Sequence, residues 1–594
     1  MLFVALTQSH IADRLQAYSP RQFSIAPDCF LTWITDGFMS RLEVAENEIT
    51  ATESLLASCE DRRNDVIFFS ARFLLQDRWL RISKSTSAGR PVYYTQDAHG
   101  NFFVSTHIAL LRQAGVTIEE DPQSLPELLI YRTVAPPRSF YRGIRRMKIA
   151  GELDIRWKSG RWTLSGEDSG YRQPPPDPRL SEAQAVDTVA GVLIDSVRAL
   201  KPVSSQVTTL LSGGLDSSLL SAVARDQIGA HDTFSSSYPF DEPEVNFEQK
   251  YALSAAAALS TRHTLFTPHG SDFVAGVVDA VADAEAPLHH LQSTLLHLLF
   301  RHAIPKNFNK VIIGEAADCA FGIDDHFMVR RALELPQRIS SFGPVYGGLK
   351  MLGRKWKRVQ ARTQRIARMK NSRLPIAHPL NPMWDCGAYG DFAWVESNYG
   401  ASREEIVAIR HRSLHAFEKQ RFEDVLSLYL LNYSEVVGTT SIWSKLAEGQ
   451  GKTAYYPFVR RELLDAAFST SWETKLKSPK HILRQVAQKL GVPDFIRNRP
   501  KQSFGIVSNR WAEPGGTLEP LIALAAKVVD VKQLRSLQGA DPRKAMTLWS
   551  LLNYALLKRL LVSGESRQTL RDELTENSQT NGVRQPAEPQ PVNS

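Results

Sequence analysis

The chain has 594 residues, with 71 lysines and arginines against 63 aspartates and glutamates, and a formal net charge of +8. Apolar residues make up 43% and charged residues 23%, which is typical of globular proteins and excludes a wholly disordered chain or a collagen-like fibre. The length exceeds that of one compact core and predicts about two to four domains. The positive charge raises the question of nucleic-acid binding, whose answer depends on where that charge lies.

The four cysteines are far apart in the sequence and form neither a CxxC motif nor a Cys/His spacing typical of zinc: Cys29, Cys59, Cys319 and Cys386. This pattern excludes a disulfide framework and is typical of a reducing compartment. No apolar run approaches the ~20 residues that a membrane helix needs. The first residues lack the basic region and the small-residue cleavage site of a signal peptide. We therefore expect a cytoplasmic protein.

Short strands and hairpins are predicted up to about Trp162, over 66–75, 90–107 and 151–165. The next stretch, 171–185, contains four prolines, which cannot continue a helix or a central strand, and it is predicted to be a linker. The pattern then alternates between strands (207–211, 233–239, 310–318) and helices (182–200, 246–260). Such alternation predicts a parallel, doubly wound sheet.

The predicted organisation is therefore an N-terminal domain over 1–170, a linker over 171–185 and a second domain over 186–563. The second domain contains an insertion at 325–420 and is mainly helical after about residue 420. The final segment, 564–594, is polar and rich in proline, asparagine and glutamine, and it is predicted to be a disordered tail.

The most informative string is SGGLDSS at Ser212–Ser218, which follows an apolar strand and opens a helix. Its two glycines let successive backbone N–H groups face one point, and the helix N-terminus favours an anion there. Asp216 would repel a phosphate in this loop unless a cation intervened, so it is predicted to bind Mg²⁺. The alternative is an ordinary Gly-Gly turn with a helix cap.

The string resembles the PP-loop of ATP pyrophosphatases, which cleave ATP to AMP and pyrophosphate, and more narrowly that of the asparagine synthetase family. Further stretches resemble segments of this family in the same order and at matching spacing: 314–322, 456–458, 480–484 and 497–505. The resemblance covers about 90–563. It implies an α/β PP-loop synthetase domain, with a doubly wound parallel sheet and C-terminal helices, preceded by an α+β glutaminase-like (Ntn-type) sandwich.

The resemblance also implies ATP and Mg²⁺ as cofactors. The predicted nucleotide-binding residues are Leu211, Ser212, Gly213, Gly214, Asp216, Ser217, Ser218 and Gly314. Asp216 and Asp318 are the predicted metal ligands, and Glu315 and Lys480 are the predicted catalytic residues. Lys480 would stabilise negative charge in the adenylation or amide-forming transition state. Arg499 and Lys501 are weaker phosphate candidates, equally consistent with a solvated loop.

The sequence departs from the family at two positions. Leu2 stands where the family's glutaminase has its cysteine nucleophile, and Cys29 is too far along the chain to replace it. Thr453 stands where the family has a glutamate, which puts recognition of the amino-acid substrate in doubt. These departures predict an enzyme that does not make its own ammonia from glutamine.

We therefore expect an ATP-dependent amide ligase that adenylates a carboxylate for attack by an amine. The branch of the family favoured by the sequence is the lasso-peptide macrolactam cyclases of peptide antibiotic biosynthesis, in which an amine of the same peptide replaces ammonia. The alternatives are an ammonia-dependent asparagine synthetase, a ring closure like that of β-lactam synthetases, and an inactive binding scaffold. The β-lactam branch looks to have tyrosine where Glu315 stands, which disfavours it.

The positive charge is concentrated in the insertion, where 350–373 holds ten lysines and arginines and no acid. Without this segment the chain has 61 basic and 63 acidic residues, so the charge does not characterise the whole protein. A solvated helix explains the segment most simply. The functional alternative is docking of an acidic partner, such as a protein or protease that delivers a leader peptide, with nucleic acid a weaker third candidate.

Overall fold

The structure, a computed structural model, describes residues 2–26, 29–35, 40–56, 66–166, 170–238, 243–327, 330, 371, 374–414, 421–500, 511–539 and 541–580. The basic segment 350–373 lies outside the described residues except for position 371, and Cys59 and Lys501 also lie outside them. No helix within these ranges is long and apolar enough to cross a membrane.

The N-terminal part of the chain forms two six-stranded antiparallel sheets. Its strands are β1 (Leu2–Thr7), β2 (Arg21–Ala26), β3 (Cys29–Thr35), β4 (Ser40–Val44), β5 (Glu48–Ser54), β6 (Ile67–Leu74), β7 (Trp79–Lys84), β8 (Tyr93–Gln96), β9 (Phe102–Ser105), β10 (Arg145–Arg146), β11 (Glu152–Lys158) and β12 (Arg161–Gly166). The strand orders are β10-β8-β9-β1-β3-β2 and β12-β11-β7-β6-β5-β4.

Burial along the strands shows how these sheets are covered. Buried residues alternate with more exposed ones along much of β5 and β7, which is typical of strands with one face on a core. Every residue of β1 and β9 is buried, so both faces of the first sheet are covered at its centre. Two helices accompany the sheets, α1 (Ile108–Gln113), which packs on β9, and α2 (Ser124–Tyr131).

The second part of the chain contains a five-stranded parallel sheet, as the alternation of strands and helices predicts. Its strands are β13 (Val207–Leu210), β14 (Asp232–Ser236), β15 (Arg262–Phe266), β16 (Lys310–Ile312) and β17 (Thr453–Tyr455), arranged in the order β15-β14-β13-β16-β17. The strands that follow β13 in sequence are therefore added first on one side of it and then on the other, so the strand order reverses between β13 and β16. In open parallel sheets ligands bind at such a switch point, outside the carboxyl ends of the strands.

Helices surround this sheet and form the rest of the second part. They are α3 (Glu182–Arg198), α4 (Leu215–Ile228), α5 (Pro243–Ala258), α6 (Gly270–Ala284), α7 (Gln292–Leu298), α8 (Ala317–Phe321), α9 (Phe392–Tyr399), α10 (Arg403–Leu414), α11 (Phe422–Tyr429), α12 (Ser441–Gly449), α13 (Arg461–Ser469), α14 (Trp472–Lys475), α15 (His481–Lys489), α16 (Asp494–Arg497), α17 (Glu519–Ala525), α18 (Val531–Ser536), α19 (Pro542–Leu557) and α20 (Arg567–Thr580). A π-helical segment, Leu430–Thr440, joins α11 to α12.

The predicted strands and the predicted tail require correction. The strand predicted over 310–318 ends at Ile312, and the strands β15 and β17 are absent from the sequence prediction. Helix α3 begins at Glu182, where the predicted helix 182–200 also begins, and Ser181 and Gln184 form a capping box there. Helix α20 occupies part of the predicted disordered tail, because Leu570 and Leu574, four residues apart, bury one face of this polar helix.

The two parts of the chain share one hydrophobic core and are also joined by buried charges. Arg410 of α10 contacts Glu127 of α2 at 3.0 Å, and both side chains are almost completely buried. Arg90, also buried, forms ion pairs with Glu53 of β5 and Glu448 of α12. Because a buried charge is costly without its partner, these pairs fix the position of one part relative to the other.

Candidate active site

The loops after β13 and β16 lie against each other at the switch point. At Gly314 a Cβ atom would lie 2.8 Å from the backbone nitrogen of Ser217, at the start of α4. Gly213 has a φ of +71°, and a Cβ there would lie 2.4 Å from the backbone of Tyr251 in α5. Glycine is therefore required at both positions, for close approach and, at Gly213, for its left-handed backbone.

Lys480 brings the predicted acidic residues together. Its Nζ lies 2.5 Å from Oδ2 of Asp216 on α4 and also contacts Asp318 on α8. Burial disfavours the charged ammonium, but the two carboxylates outweigh this effect and raise the pKa of Lys480 above its ordinary value. Lys480 also has a φ of +54°, a strained conformation for a lysine that is typical of functional sites.

The carboxylates of Asp216 and Asp318 fit Mg²⁺ by their chemistry, although they do not enclose it. Among the described residues no group of three or more His, Cys, Asp or Glu side chains could hold a metal ion. Mg²⁺ is usually held by one or two carboxylates together with substrate phosphates and water. The site therefore fits a magnesium ion that arrives with a nucleotide, while the assignment of these two ligands stays a prediction.

The serines of the loop differ in their access to a ligand. Ser212 is exposed, whereas Ser217 is buried at 8% exposure, and their hydroxyls are 3.0 Å apart. Ser218 is fully buried, and its backbone nitrogen donates to the carbonyl of Gly214. Leu211 is also fully buried, and its amide donates to Phe234. Phosphate contact is thus easiest for Ser212, and Leu211 could offer only its carbonyl.

A second acidic residue, which the sequence prediction missed, faces Glu315. Burial, the charge of Glu435 and a hydrogen bond to Glu435 raise the pKa of Glu315 well above its ordinary value, and Asp318 and Asp216 add to the effect. Two carboxyl groups in this relation favour a proton shared between them. Glu435 belongs to the π-helical segment Leu430–Thr440, an irregularity that is often found at functional sites.

Two other residues singled out in the sequence have defined positions. Arg499 lies at the phosphate loop, where its Nη1 donates to the carbonyl of Ser212 at 3.1 Å and its Nη2 contacts Glu248. Thr453 begins β17, and its hydroxyl accepts a hydrogen bond from buried Lys310 at 3.3 Å. Thr453 is therefore held at the end of the strand opposite the site, whereas Arg499 lies at the loop but is paired with Glu248.

Comparison with known protein families agrees with this geometry. The model of the family described as asparagine synthase matches residues 188–568, well over half of the chain. The chain belongs to the asparagine synthase family. The matched region contains the parallel sheet, both loops at its switch point, and Lys480.

Asparagine synthase relatives among the curated proteins are distant. A protein of Mycobacterium tuberculosis, which carries the name of a glutamine-hydrolyzing asparagine synthetase, is 26% identical over 240 residues, 39% of this chain and 36% of the relative. A protein of Bacillus subtilis with a similar name is 22% identical over 438 residues, 71% of this chain and 65% of the relative. The chain thus spans about a third of the length of the mycobacterial relative that it matches.

Proposed function

We propose that the protein is an ATP-dependent ligase that forms an amide bond through an acyl adenylate. A carboxylate oxygen of the substrate attacks the α-phosphorus of ATP and pyrophosphate leaves; an amine then attacks the acyl carbon and AMP leaves. The cluster of Lys480, Asp216 and Asp318 at the switch point carries this proposal, because it places opposite charges beside a phosphate-binding loop.

The loop and the lysine would act on the phosphates. The N-terminus of α4 and the backbone of Ser212–Gly214 favour the negative charge of the nucleotide. A bound Mg²⁺ ion would neutralise phosphate charge, and Asp216 and Asp318 would hold it. Lys480 would then pair with the charge that develops on the leaving pyrophosphate, in exchange for the carboxylates that it contacts without a nucleotide.

Glu315 and Glu435 would serve the second half of the reaction. An amine must lose a proton when it becomes an amide, and a carboxyl pair with one raised pKa can accept that proton near neutral pH. The pair is close to the other carboxylates, since Asp318 and Asp216 both act on the pKa of Glu315. Proton acceptance would thus occur beside the adenylate.

We further propose that the amine belongs to the same molecule as the carboxylate, as in a lasso-peptide macrolactam cyclase. Leu2, at the position of the family's nucleophile, is buried, and its backbone nitrogen donates to Thr106. Cys319 and Cys386 are buried in the second part of the chain. These observations support an amine source other than glutamine. The names of the relatives instead favour aspartate and ammonia as substrates, which is the alternative.

The proposal is tested by incubating the full chain with Mg-ATP and candidate substrates. AMP and pyrophosphate are the expected products, and Asp216→Asn should abolish them; ADP and phosphate would contradict the mechanism. Conversion of a precursor peptide, with its processing protease, to a product that has lost one water would support the cyclase. Formation of asparagine from aspartate and ammonium would instead support the alternative.

A further inference from the structure

A cavity of about 50 Å³ lies between the two parts of the chain. One wall comes from the N-terminal part and includes Arg132 and Arg146, and the other includes Val437 and Gly438 of the π-helical segment that also carries Glu435. The volume accommodates a few water molecules or one small polar group. The lining thus brings two arginines against the segment that carries Glu435.

Arg132 is buried in an unusual state. Its side chain is 3% exposed, and its backbone has a φ of +59°, where glycine is normally preferred. Its Nη1 lies 3.2 Å from Nδ1 of His290, and its guanidinium lies 3.3 Å from the centre of the Tyr389 ring. Its Nε and Nη2 are shielded from water and have no hydrogen-bond partner among the described residues. Such a group carries a large cost unless something pairs with it.

The charge of Arg132 is only partly offset by its neighbours, since Tyr389 and Glu435 act against the effect of burial on its pKa. Burial lowers its pKa to about 10, so it stays charged at neutral pH. Burial and the charge of Arg132 lower the pKa of His290 well below its ordinary value, so this imidazole is neutral. Arg146, partly buried in the same cavity, donates to the carbonyl of Val437 and to Ser441, while its Nε has no partner within the described ranges. The lining thus contains two arginines and one acidic residue, Glu285, which is paired with Lys445.

Nε and Nη2 of Arg132, which have no hydrogen-bond partner among the described residues, are the two donors that can bind both oxygens of one carboxylate. Elsewhere in this chain the same pair, Nε and Nη2, holds both oxygens of one carboxylate: in Arg81 with Asp154 the distances are 2.9 and 3.1 Å. Arg262 holds Asp232 in the same way at 3.0 and 2.6 Å. Planar, bidentate pairing of this kind is specific for carboxylate geometry.

We propose that Arg132, with help from Arg146, binds a second carboxylate of the substrate, distinct from the one that is adenylated. Glu435 acts on the pKa of Arg132, which places the guanidinium close to the carboxyl pair. A substrate with two acidic groups could then have one at the adenylation site and the other on this arginine. The statement that the ligand is a substrate rests on the proposed function. The statement that a carboxylate binds here rests on the cavity alone.

Binding is tested without turnover, by calorimetry of the full chain with succinate and with neutral succinamide at matched ionic strength. Saturable binding of succinate alone is expected, weakened about 10- to 100-fold in Arg132→Met, since hydrogen bonds to a charged group are lost. Arg132→Lys, which keeps the charge without the fork, should also bind more weakly. Arg142→Gln removes an exposed arginine ten residues away and should bind as the wild type does.

Thermal unfolding separates a binding role from a structural one. Because Arg132→Met removes a buried, unmatched charge, its unfolding temperature without succinate should equal or exceed that of the wild type, while the rise caused by succinate disappears. Equal succinate binding by the wild type and both Arg132 variants would overturn the inference, as would no saturable binding. Succinate binding without AMP formation would overturn the proposed function alone. AMP formation with an unchanged KM in Arg132→Met would overturn the inference alone.

Discussion

Lys480→Met removes the ammonium that lies between Asp216 and Asp318 while keeping a side chain of similar length. Each hydrogen bond to a charged partner contributes about 1.5–3 kcal/mol, and Lys480 makes two. The side chains of Lys480 and Asp216 are 16% and 19% exposed, so solvent screens part of this energy. A transition-state loss of about 3–4 kcal/mol is expected, which corresponds to a fall in kcat of about 10²- to 10³-fold.

The assay is release of pyrophosphate and AMP under saturating Mg-ATP. Lys477→Met is the matched control, because Lys477 lies three residues earlier, is 57% exposed and pairs with Glu182 outside the site; its kcat should stay within twofold of the wild type. The KM for ATP should change less than kcat in Lys480→Met, since both carboxylates remain. A kcat for Lys480→Met within threefold of the wild type would refute the role of the ammonium.

The loss in Lys480→Met should not depend on pH between about 6 and 9. The pKa of Lys480 is raised in the folded protein, so its ion pairs are complete below the unfolded lysine pKa of about 10.4 and are lost only as pH rises through the higher folded value. If the ratio of the wild-type kcat to the kcat of Lys480→Met changed tenfold across this pH range, another titrating group would dominate the effect.

Three further changes test other parts of the structure. Glu435→Gln removes a like charge and should lower the pKa of Glu315, moving the acid limb of the kcat profile to lower pH and reducing kcat about 10²-fold; an unmoved limb would contradict the pair. Gly314→Ala should push the loops apart and abolish ATP binding with unchanged circular dichroism. Arg90→Met should lower the free energy of unfolding in urea by about 3–5 kcal/mol, whereas exposed Arg41→Met should change it by less than about 0.5 kcal/mol.

The phosphate loop could be predicted because its signal is local: strand, glycine turn and helix follow within twenty residues, and Asp216 lies inside the string. The family resemblance placed Lys480 and Asp318 in the same site, and the structure brings them together. Glu435 could not be found in this way, because it meets Glu315 from 120 residues away and belongs to no motif of the sequence.

The failures of the sequence prediction have physical causes. Strands β15 and β17 lie at the two edges of the sheet; β15 has no fully buried residue, so its sequence shows no apolar run, and β17 has only three residues. Helix α20 has a polar composition, and it is held by the packing of Leu570 and Leu574 and by ion pairs such as that of Arg571 with Asp279. Arg132 could not be singled out from the sequence, because the role proposed for this arginine depends on the cavity that surrounds it in the fold.

The pairing of Arg410 with Glu127 limits how the protein can be divided. If the chain were cut in the linker and the halves were produced separately, each half would expose one of these charges together with the apolar surface around it. The isolated synthetase half would then be prone to aggregation, even though it contains the whole phosphate loop. The second part of the chain therefore depends on the N-terminal part for its folding. The N-terminal part can be retained for this reason even if it has no reaction of its own.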